Sequence, residues 1–222
     1  VLAEKMVKIG TLGGKKMGAL ITDMQQPLSD HVGNALEVIG IIEVLNGKKN
    51  RLYREIDEVA TKLLVLTGKY TVEAAEEAVT NAIESGAALK KLAEMVEAQH
   101  GDPSYIFNSQ KFTLGIPVDV LASRDGCVSS MVAADIGRSV TLLGGGRMKK
   151  EDAIDYSVGV VMHTELGKTV KKGDVIATVY HNGQNVNEAI DLLTSAIHIT
   201  DNQIPAPKIA YAFVDKNGIV KY

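Results

Sequence analysis

The chain of 222 residues is poor in the residues that build disulfide-bonded and metal-caged proteins. It contains one cysteine, Cys127, and five prolines, and it has no tryptophan. One cysteine excludes both an internal disulfide and a thiolate metal cage, and such usage is typical of proteins in the reducing cytoplasm. We therefore expect a cytoplasmic protein that is held together by a hydrophobic core.

The sequence also lacks an excess of positive charge and any long apolar run. Lys and Arg number 24 against 27 Asp and Glu, so the formal net charge is −3. A surface without a basic excess has no electrostatic attraction for nucleic acid or an anionic membrane. No apolar run reaches the ~20 residues that a membrane-spanning helix requires. We expect no nucleic-acid partner and no membrane partner.

The first part of the chain alternates helical patterns with one short apolar run. Helical spacing of apolar residues, or caps and glycine stops, predicts helices over residues 2–9, 55–67, 72–85 and 87–100, and one from residue 32 or 34 to 45. Residues 17–22 (MGALIT) are of strand length, and such runs fit a strand covered on both faces, as in a parallel sheet. The polar loop at 23–30 then lies at the carboxyl end of that strand, where open α/β sheets place their ligand sites.

Beyond residue 112 the pattern changes to short β-type runs separated by turn signals. These runs are GIPVDVLA, GCVSSMVA, SVTLLGGG, YSVGVVMH, VIATVYH and IAYAFVD, with one helix at 185–196 among them. We predict an α/β fold in two domains. Residues 1–105 form part of a mixed sheet flanked by helices, and residues 106–222 form a β-rich α+β domain. The segment ELGKTVKKGDVIATV resembles the half-barrel turn of biotinyl and lipoyl domains, which concerns fold only.

Taken residue by residue, the chain has no convincing catalytic constellation. Its five histidines are scattered and have no zinc-ligand spacing. The glycine run in LLGGGRMKK lacks both the GK[ST] of a P-loop and the GxGxxG of a dinucleotide site. Lys149 in that run resembles the modified lysine of a biotinyl hairpin, but Lys150 and Glu151 follow where an apolar residue belongs. A carrier protein is therefore the weakest of the alternatives.

One segment identifies a family. Residues 19–38 read ALITDMQQPLSDHVGNALEV, which closely resembles the [AI][LI][IL][TS]DM-x-QPLG-x-x-VGNALEV segment of pyrimidine-nucleoside and thymidine phosphorylases. LAEKMVKIG at 2–10, AQHGDPS at 98–104 and LLGGGRMKKEDAIDYSVGVVMHTELGKTVKKGDVIATV at 142–179 are similar to the same family in the same order. The resemblance covers nearly the whole chain.

The resemblance implies phosphorolysis, in which inorganic phosphate displaces uracil or thymine from a nucleoside and leaves a pentose 1-phosphate. Family chains are about twice as long, and their KxSTGGxGD phosphate loop and pyrimidine-gripping Arg, Ser and Lys precede the part matched here. These motifs do not occur in the 222 residues. No catalytic or cofactor-binding residue is therefore carried over. The chain is expected to be the C-terminal half of a homodimeric enzyme, inactive without its N-terminal half.

The resemblance also implies one metal site. Bacterial members bind potassium beside the phosphate loop through two carbonyls of the QPLG-x-x loop and a glutamate in the following helix. By position the carbonyls belong to Leu28 and His31, and the glutamate falls on Gly40. The missing carboxylate, with Ser29 in place of the loop glycine, counts against potassium in this chain. Glu43, one turn further on, is the alternative carboxylate.

A second hypothesis stays open beside the enzyme. The chain can be a stand-alone binding or scaffold module derived from the family, in which the lost carboxylate reflects relaxed function. The residues upstream of Val1 discriminate between the two, because a KxSTGGxGD motif there favours the enzyme and a start codon there favours the module. The preference for uridine or thymidine is not encoded in this segment.

Overall fold

The computed structural model describes residues 1–222 and combines helices with small antiparallel sheets. The helices are α1 (Leu2–Leu12), α2 (Asn34–Leu45), α3 (Arg51–Leu66), α4 (Val72–Glu84), α5 (Ala87–Ala98), α6 (Ser104–Phe107), α7 (Ala133–Val140) and α8 (Val186–Ser195). The strands are β1 (Ala19–Thr22), β2 (His31–Val32), β3 (Ile116–Leu121), β4 (Gly126–Met131), β5 (Gly159–Met162), β6 (Thr169–Val170), β7 (Val175–His181), β8 (Ile197–Thr200), β9 (Ala210–Asp215) and β10 (Gly218–Lys221). None of the helices has the length and apolarity to cross a membrane.

One compact unit combines Val1–Asp23, Val44–Lys91 and Lys208–Tyr222. Its three-stranded sheet has the order β1-β9-β10, and α1 packs against β1 and β9 while α3 packs against α4. Helix α3 begins at Arg51 and not at the predicted residue 55, because the Asn50 side chain accepts a hydrogen bond from the Tyr53 N–H and caps the first turn. The predicted cap at Thr71 is confirmed by its bond from the Ala74 N–H.

The second compact unit combines Met24–Glu43 and Leu92–Pro207. It contains a four-stranded sheet of order β2-β5-β7-β3, a three-stranded sheet of order β6-β4-β8, and the packed pair of helices α7 and α8. One hydrophobic cluster fills it, including the fully buried side chains Val128, Ile136, Val160 and Leu193. The predicted β-rich second part of the chain is confirmed by these sheets.

The prediction of a strand over SVTLLGGG, residues 139–146, was wrong. Helix α7 covers Ala133–Val140 and continues into a π-type turn at Thr141–Gly145. Ile136, Val140 and Leu143 are buried at helical spacing, so packing against α8 overrides the strand preference of the β-branched residues. The Ser139 hydroxyl donates to the Ile136 carbonyl at 2.7 Å, as serines inside helices do.

The expectation of a parallel strand at residues 17–22 was wrong as well. Strand β1 pairs antiparallel with β9, with Ala19 opposite Val214, and it lies at the edge of its sheet. The other strand pairs are also antiparallel, so the parallel part of the predicted mixed sheet is not among them. Strand β6 pairs with β4, whereas β7 pairs with β3 and β5. The half-barrel and the domain boundary near residue 105 stay predictions.

Candidate functional site

The family-like loop, residues 24–33, is attached to the β-rich part of its unit by a buried amide. Gln26 is 5% exposed, and its Oε1 accepts a hydrogen bond of 2.9 Å from the Leu166 N–H, a residue 140 positions further along the chain. A buried polar side chain needs such a partner, because its desolvation costs about 1–3 kcal/mol when the bond is missing. Gln26 therefore fixes the first half of the loop.

Strand β2 holds the second half of the loop. The Asp30 carbonyl accepts a bond of 2.6 Å from the Met162 N–H, and His31 and Val32 lie opposite Val161 and Val160 of β5. Opposed residue pairs in an antiparallel ladder alternate between hydrogen-bonded and non-hydrogen-bonded pairs. Because Asp30 and Met162 form a hydrogen-bonded pair, the next pair, His31 and Val161, is not hydrogen-bonded, and the backbone N–H and carbonyl of His31 face away from β5. The His31 N–H accordingly donates to the Ser29 Oγ at 3.1 Å.

Gly33 turns the chain from β2 into α2 at a point with no room for a side chain. Its φ of +128° lies in the left-handed region, and a Cβ there would lie 2.9 Å from the Val158 carbonyl oxygen. Its N–H donates to Glu37 Oε1 at 3.1 Å, which caps the start of α2 and places an acid in the first turn. Asn34 Nδ2 donates to the Gly145 carbonyl at 2.8 Å. Gly33 is thus required by backbone packing, and Asn34 adds a side-chain hydrogen bond to the β-rich part of the unit.

The side chain of His31 lies against bare helix backbone at Gly40. His31 is 7% exposed, and a Cβ built on Gly40 would lie 3.0 Å from its Nδ1 and 3.1 Å from the Ser29 Oγ. Its Nε2 lies 4.0 Å from Glu43 Oε2. The glycine at position 40 therefore gives the imidazole its space, and Glu43 faces that ring. Sequence reasoning singled out all four residues but did not foresee their contact.

The two predicted potassium ligands, Leu28 and His31, lie on this one loop. Leu28 is 50% exposed while His31 is buried. No group of three or more His, Cys, Asp and Glu side chains forms a metal centre in the chain. That result concerns side chains and leaves the carbonyl ligands untested. The potassium site at Leu28 and His31 stays a prediction.

A buried ion pair in the other unit was missed by sequence reasoning. Arg51 Nη2 lies 3.1 Å from Asp23 Oδ2, with the two side chains 5% and 1% exposed. Burial raises the pKa of the neighbouring Glu55. The charge of Arg51 and a hydrogen bond with Thr22 offset part of this rise. Arg51 lies in the stretch that was predicted to precede the helix. The sequence signal for this pair was Asp23, which directly follows the apolar strand β1, because a buried acid at such a position needs a cationic partner.

The glycine run and Lys149 form a capped turn. The N–H groups of Met148 and Lys149 donate to Asp152 Oδ2 at 3.0 and 2.8 Å. The residues before them are helical, so Lys149 does not lie at the tip of a β-hairpin. This geometry contradicts the carrier alternative, which required such a hairpin.

Comparison of the sequence with known proteins finds relatives among pyrimidine-nucleoside phosphorylases. Residues 127–200 match the family model described as the pyrimidine nucleoside phosphorylase C-terminal domain. The chain is 37% identical over 201 residues to the pyrimidine-nucleoside phosphorylase of Staphylococcus haemolyticus (strain JCSC1435), covering 89% of this chain and 46% of the relative. It is 35% identical over 206 residues to that of Staphylococcus aureus (strain bovine RF122 / ET3-1), covering 91% and 48%. The chain therefore spans about half the length of these curated relatives.

Proposed function

This chain belongs to the pyrimidine-nucleoside phosphorylase family, and from that premise we propose that it is the C-terminal part of an enzyme of pyrimidine-nucleoside phosphorolysis. In the proposed reaction an oxygen of inorganic phosphate attacks C1′ of uridine, thymidine or deoxyuridine. The bond between C1′ and the base breaks, and the products are the free pyrimidine and a pentose 1-phosphate. The proposed location is the cytoplasm, and the proposed assembly is a homodimer of complete chains.

The observation that carries this proposal is the joining of two family features in one unit. The loop motif is bound to the β-rich region through the Gln26 amide, the Asp30 carbonyl and the Asn34 amide. Much of that region lies within residues 127–200, which match the family model. A loop held at both ends by hydrogen bonds is preorganised, which is what a ligand-positioning segment requires.

We assign this part of the enzyme the role of positioning rather than chemistry. Phosphorolysis requires that phosphate and not water attacks the sugar, so the reacting groups must be enclosed. The loop and the start of α2 supply a rigid wall for such an enclosure. The phosphate loop and the residues that grip the base do not occur in these 222 residues. We therefore propose that the chain by itself does not turn over nucleosides.

The proposed partner for this half is an N-terminal phosphorylase half, and α1 offers it a surface. Leu2, Met6 and Ile9 recur at helical spacing on α1 and are 72%, 56% and 71% exposed. A row of exposed apolar side chains of this kind marks an interaction surface. We propose that this α1 face packs against the N-terminal half.

The experiment is an assay of uracil or thymine release from uridine or thymidine with phosphate. We expect no turnover by the 222-residue chain alone, and turnover when it is co-expressed with the N-terminal half of the S. haemolyticus relative. A co-expressed Gln26→Ala chain is the matched variant, and it is expected to lower the turnover. Turnover by the chain alone would contradict its proposed inactivity, and inactivity of a stable complex would contradict the proposed function.

A further inference from the structure

We infer that the side chain of His31, which packs against Gly40, fixes the loop of residues 24–33, and that no potassium ion is bound in this loop. The inference rests on the proposed function only for the identity of the cation that the family resemblance implies. It concerns binding and order within one unit, so it can be tested without any catalysis.

The first step is steric. The carboxylate that completes the implied site belongs at position 40, where this chain has glycine. A Cβ at that position would already lie 3.0 Å from His31 Nδ1 and 3.1 Å from Ser29 Oγ. A glutamate at position 40 would therefore need the imidazole and the Ser29 hydroxyl to shift by a few tenths of an ångström. The ring and this hydroxyl therefore crowd the space in which the first atoms of the missing side chain would lie.

The second step is the chemistry of the donors that remain. A hard cation such as potassium prefers oxygen ligands, and imidazole nitrogen suits transition metals instead. The His31 carbonyl faces away from β5 and is compatible with an ion, but a carbonyl brings no negative charge. Glu43, the alternative carboxylate, has its Oε2 4.0 Å from His31 Nε2. Glu43 thus lies beside the ring, and the donors of the loop, two carbonyls and an imidazole, do not fit potassium.

The third step is the positive role of the ring. The side chain of His31 is 7% exposed, and with the Ser29 hydroxyl it packs against the backbone at Gly40. The adjacent Ser29 hydroxyl accepts the His31 N–H at 3.1 Å, so the same residue is held by its backbone and by its side chain. His31 is therefore a positioning residue for the loop.

The cation is tested by thermal unfolding of the 222-residue chain in potassium chloride and in tetramethylammonium chloride at equal ionic strength. We expect the same midpoint in both salts. The double variant His31→Ala with Gly40→Glu restores the space and the carboxylate. We expect it to gain a potassium-specific rise of about 5 °C or more at ~100-fold excess over its Kd. A saturable potassium-specific rise in the natural chain, or a folded double variant without one, would overturn the inference.

The positioning role is tested by hydrogen exchange of the amides at residues 28–33. We expect His31→Ala to speed their exchange about tenfold or more, because the loop opens without global unfolding. The control is His198→Ala, which removes an exposed imidazole from the same unit and is expected to leave these amides unchanged. Unchanged loop exchange in His31→Ala would overturn the role. Neither measurement uses nucleoside turnover, so failure here is distinguishable from failure of the proposed function.

Discussion

Replacing Gly33 by alanine adds a single methyl group where the loop enters α2. The Cβ would lie 2.9 Å from the Val158 carbonyl oxygen and 3.0 Å from Gly159 Cα. Both neighbours are backbone atoms, so they cannot move aside as a side-chain end can. The φ of +128° adds strain for any residue with a Cβ.

The two costs can be estimated separately. A residue held in a sparsely populated backbone region costs about 1–3 kcal/mol, and forcing extra volume into a packed site costs about 1–3 kcal/mol. Gly33→Ala should therefore lower the free energy of unfolding by about 2–6 kcal/mol, a large part of the ~5–15 kcal/mol that a typical domain has. The measurement is urea unfolding followed by circular dichroism.

Gly137→Ala is the matched control, because it makes the same chemical change in the same unit. Gly137 lies inside α7, where nothing would lie within 4 Å of an added Cβ. Alanine is favoured over glycine inside a helix by about 0.5–1 kcal/mol, so this variant should be more stable than the natural chain. The reasoning is refuted if both variants shift the free energy of unfolding in the same direction or if Gly33→Ala is neutral.

Three further predictions concern charge and surface. Arg51→Met removes the guanidinium that pairs with the buried Asp23 carboxylate and should lower the free energy of unfolding in urea by about 3–5 kcal/mol. Arg54→Met, at an exposed arginine, should lower it by under about 0.5 kcal/mol, and equal losses would contradict the ion pair. Hydrogen bonds from Ser157 hold the pKa of Asp155 below its ordinary value. The ionised Asp155 therefore stabilises the fold fully above about pH 4, and this stabilisation is lost as the pH falls through the lower pKa of the folded state. The difference in unfolding midpoint between the natural chain and Asp155→Asn should become smaller on acidification, and a larger difference would contradict the reasoning. Met6→Glu on α1 should abolish co-purification with the N-terminal half without lowering the unfolding midpoint of the chain itself; retained co-purification would contradict the proposed α1 surface.

Local signals predicted α1 to α5 and α8, but not α6 or α7. The end of α2 at Leu45 follows from Asn46 and Gly47, and the start of α4 follows from its Thr71 cap. The strand prediction at SVTLLGGG failed because its valine and threonine favour strands locally, while burial against α8 is a tertiary effect. The antiparallel partner of β1 lies near the other end of the chain, and nothing near residues 19–22 indicates that pairing.

The candidate site divides in the same way. The loop motif, its position after a strand and its entry into a helix were all predictable, since they depend on neighbouring residues. The bonds that hold the loop were not predictable, because Gln26 and Asn34 reach residues more than a hundred positions away. The Arg51–Asp23 pair was missed for a related reason, since burial of both charges depends on how β1 and α3 meet.

The family resemblance makes positions 31 and 40 two ligands of one ion, the first through a carbonyl and the second through a carboxylate that this chain lacks. A Cβ added at Gly40 would lie 3.0 Å from His31 Nδ1, so a side chain at position 40 and the imidazole at position 31 affect each other. Coupled neighbours show interaction energies of about 0.5–3 kcal/mol in double-mutant cycles. We expect Gly40→Glu to destabilise the natural chain, and we expect this cost to shrink when His31 is alanine. The measurement is urea unfolding of both single variants and the double variant in the absence of potassium. Additive costs would show that the imidazole and the glycine act independently, so that neither explains the other.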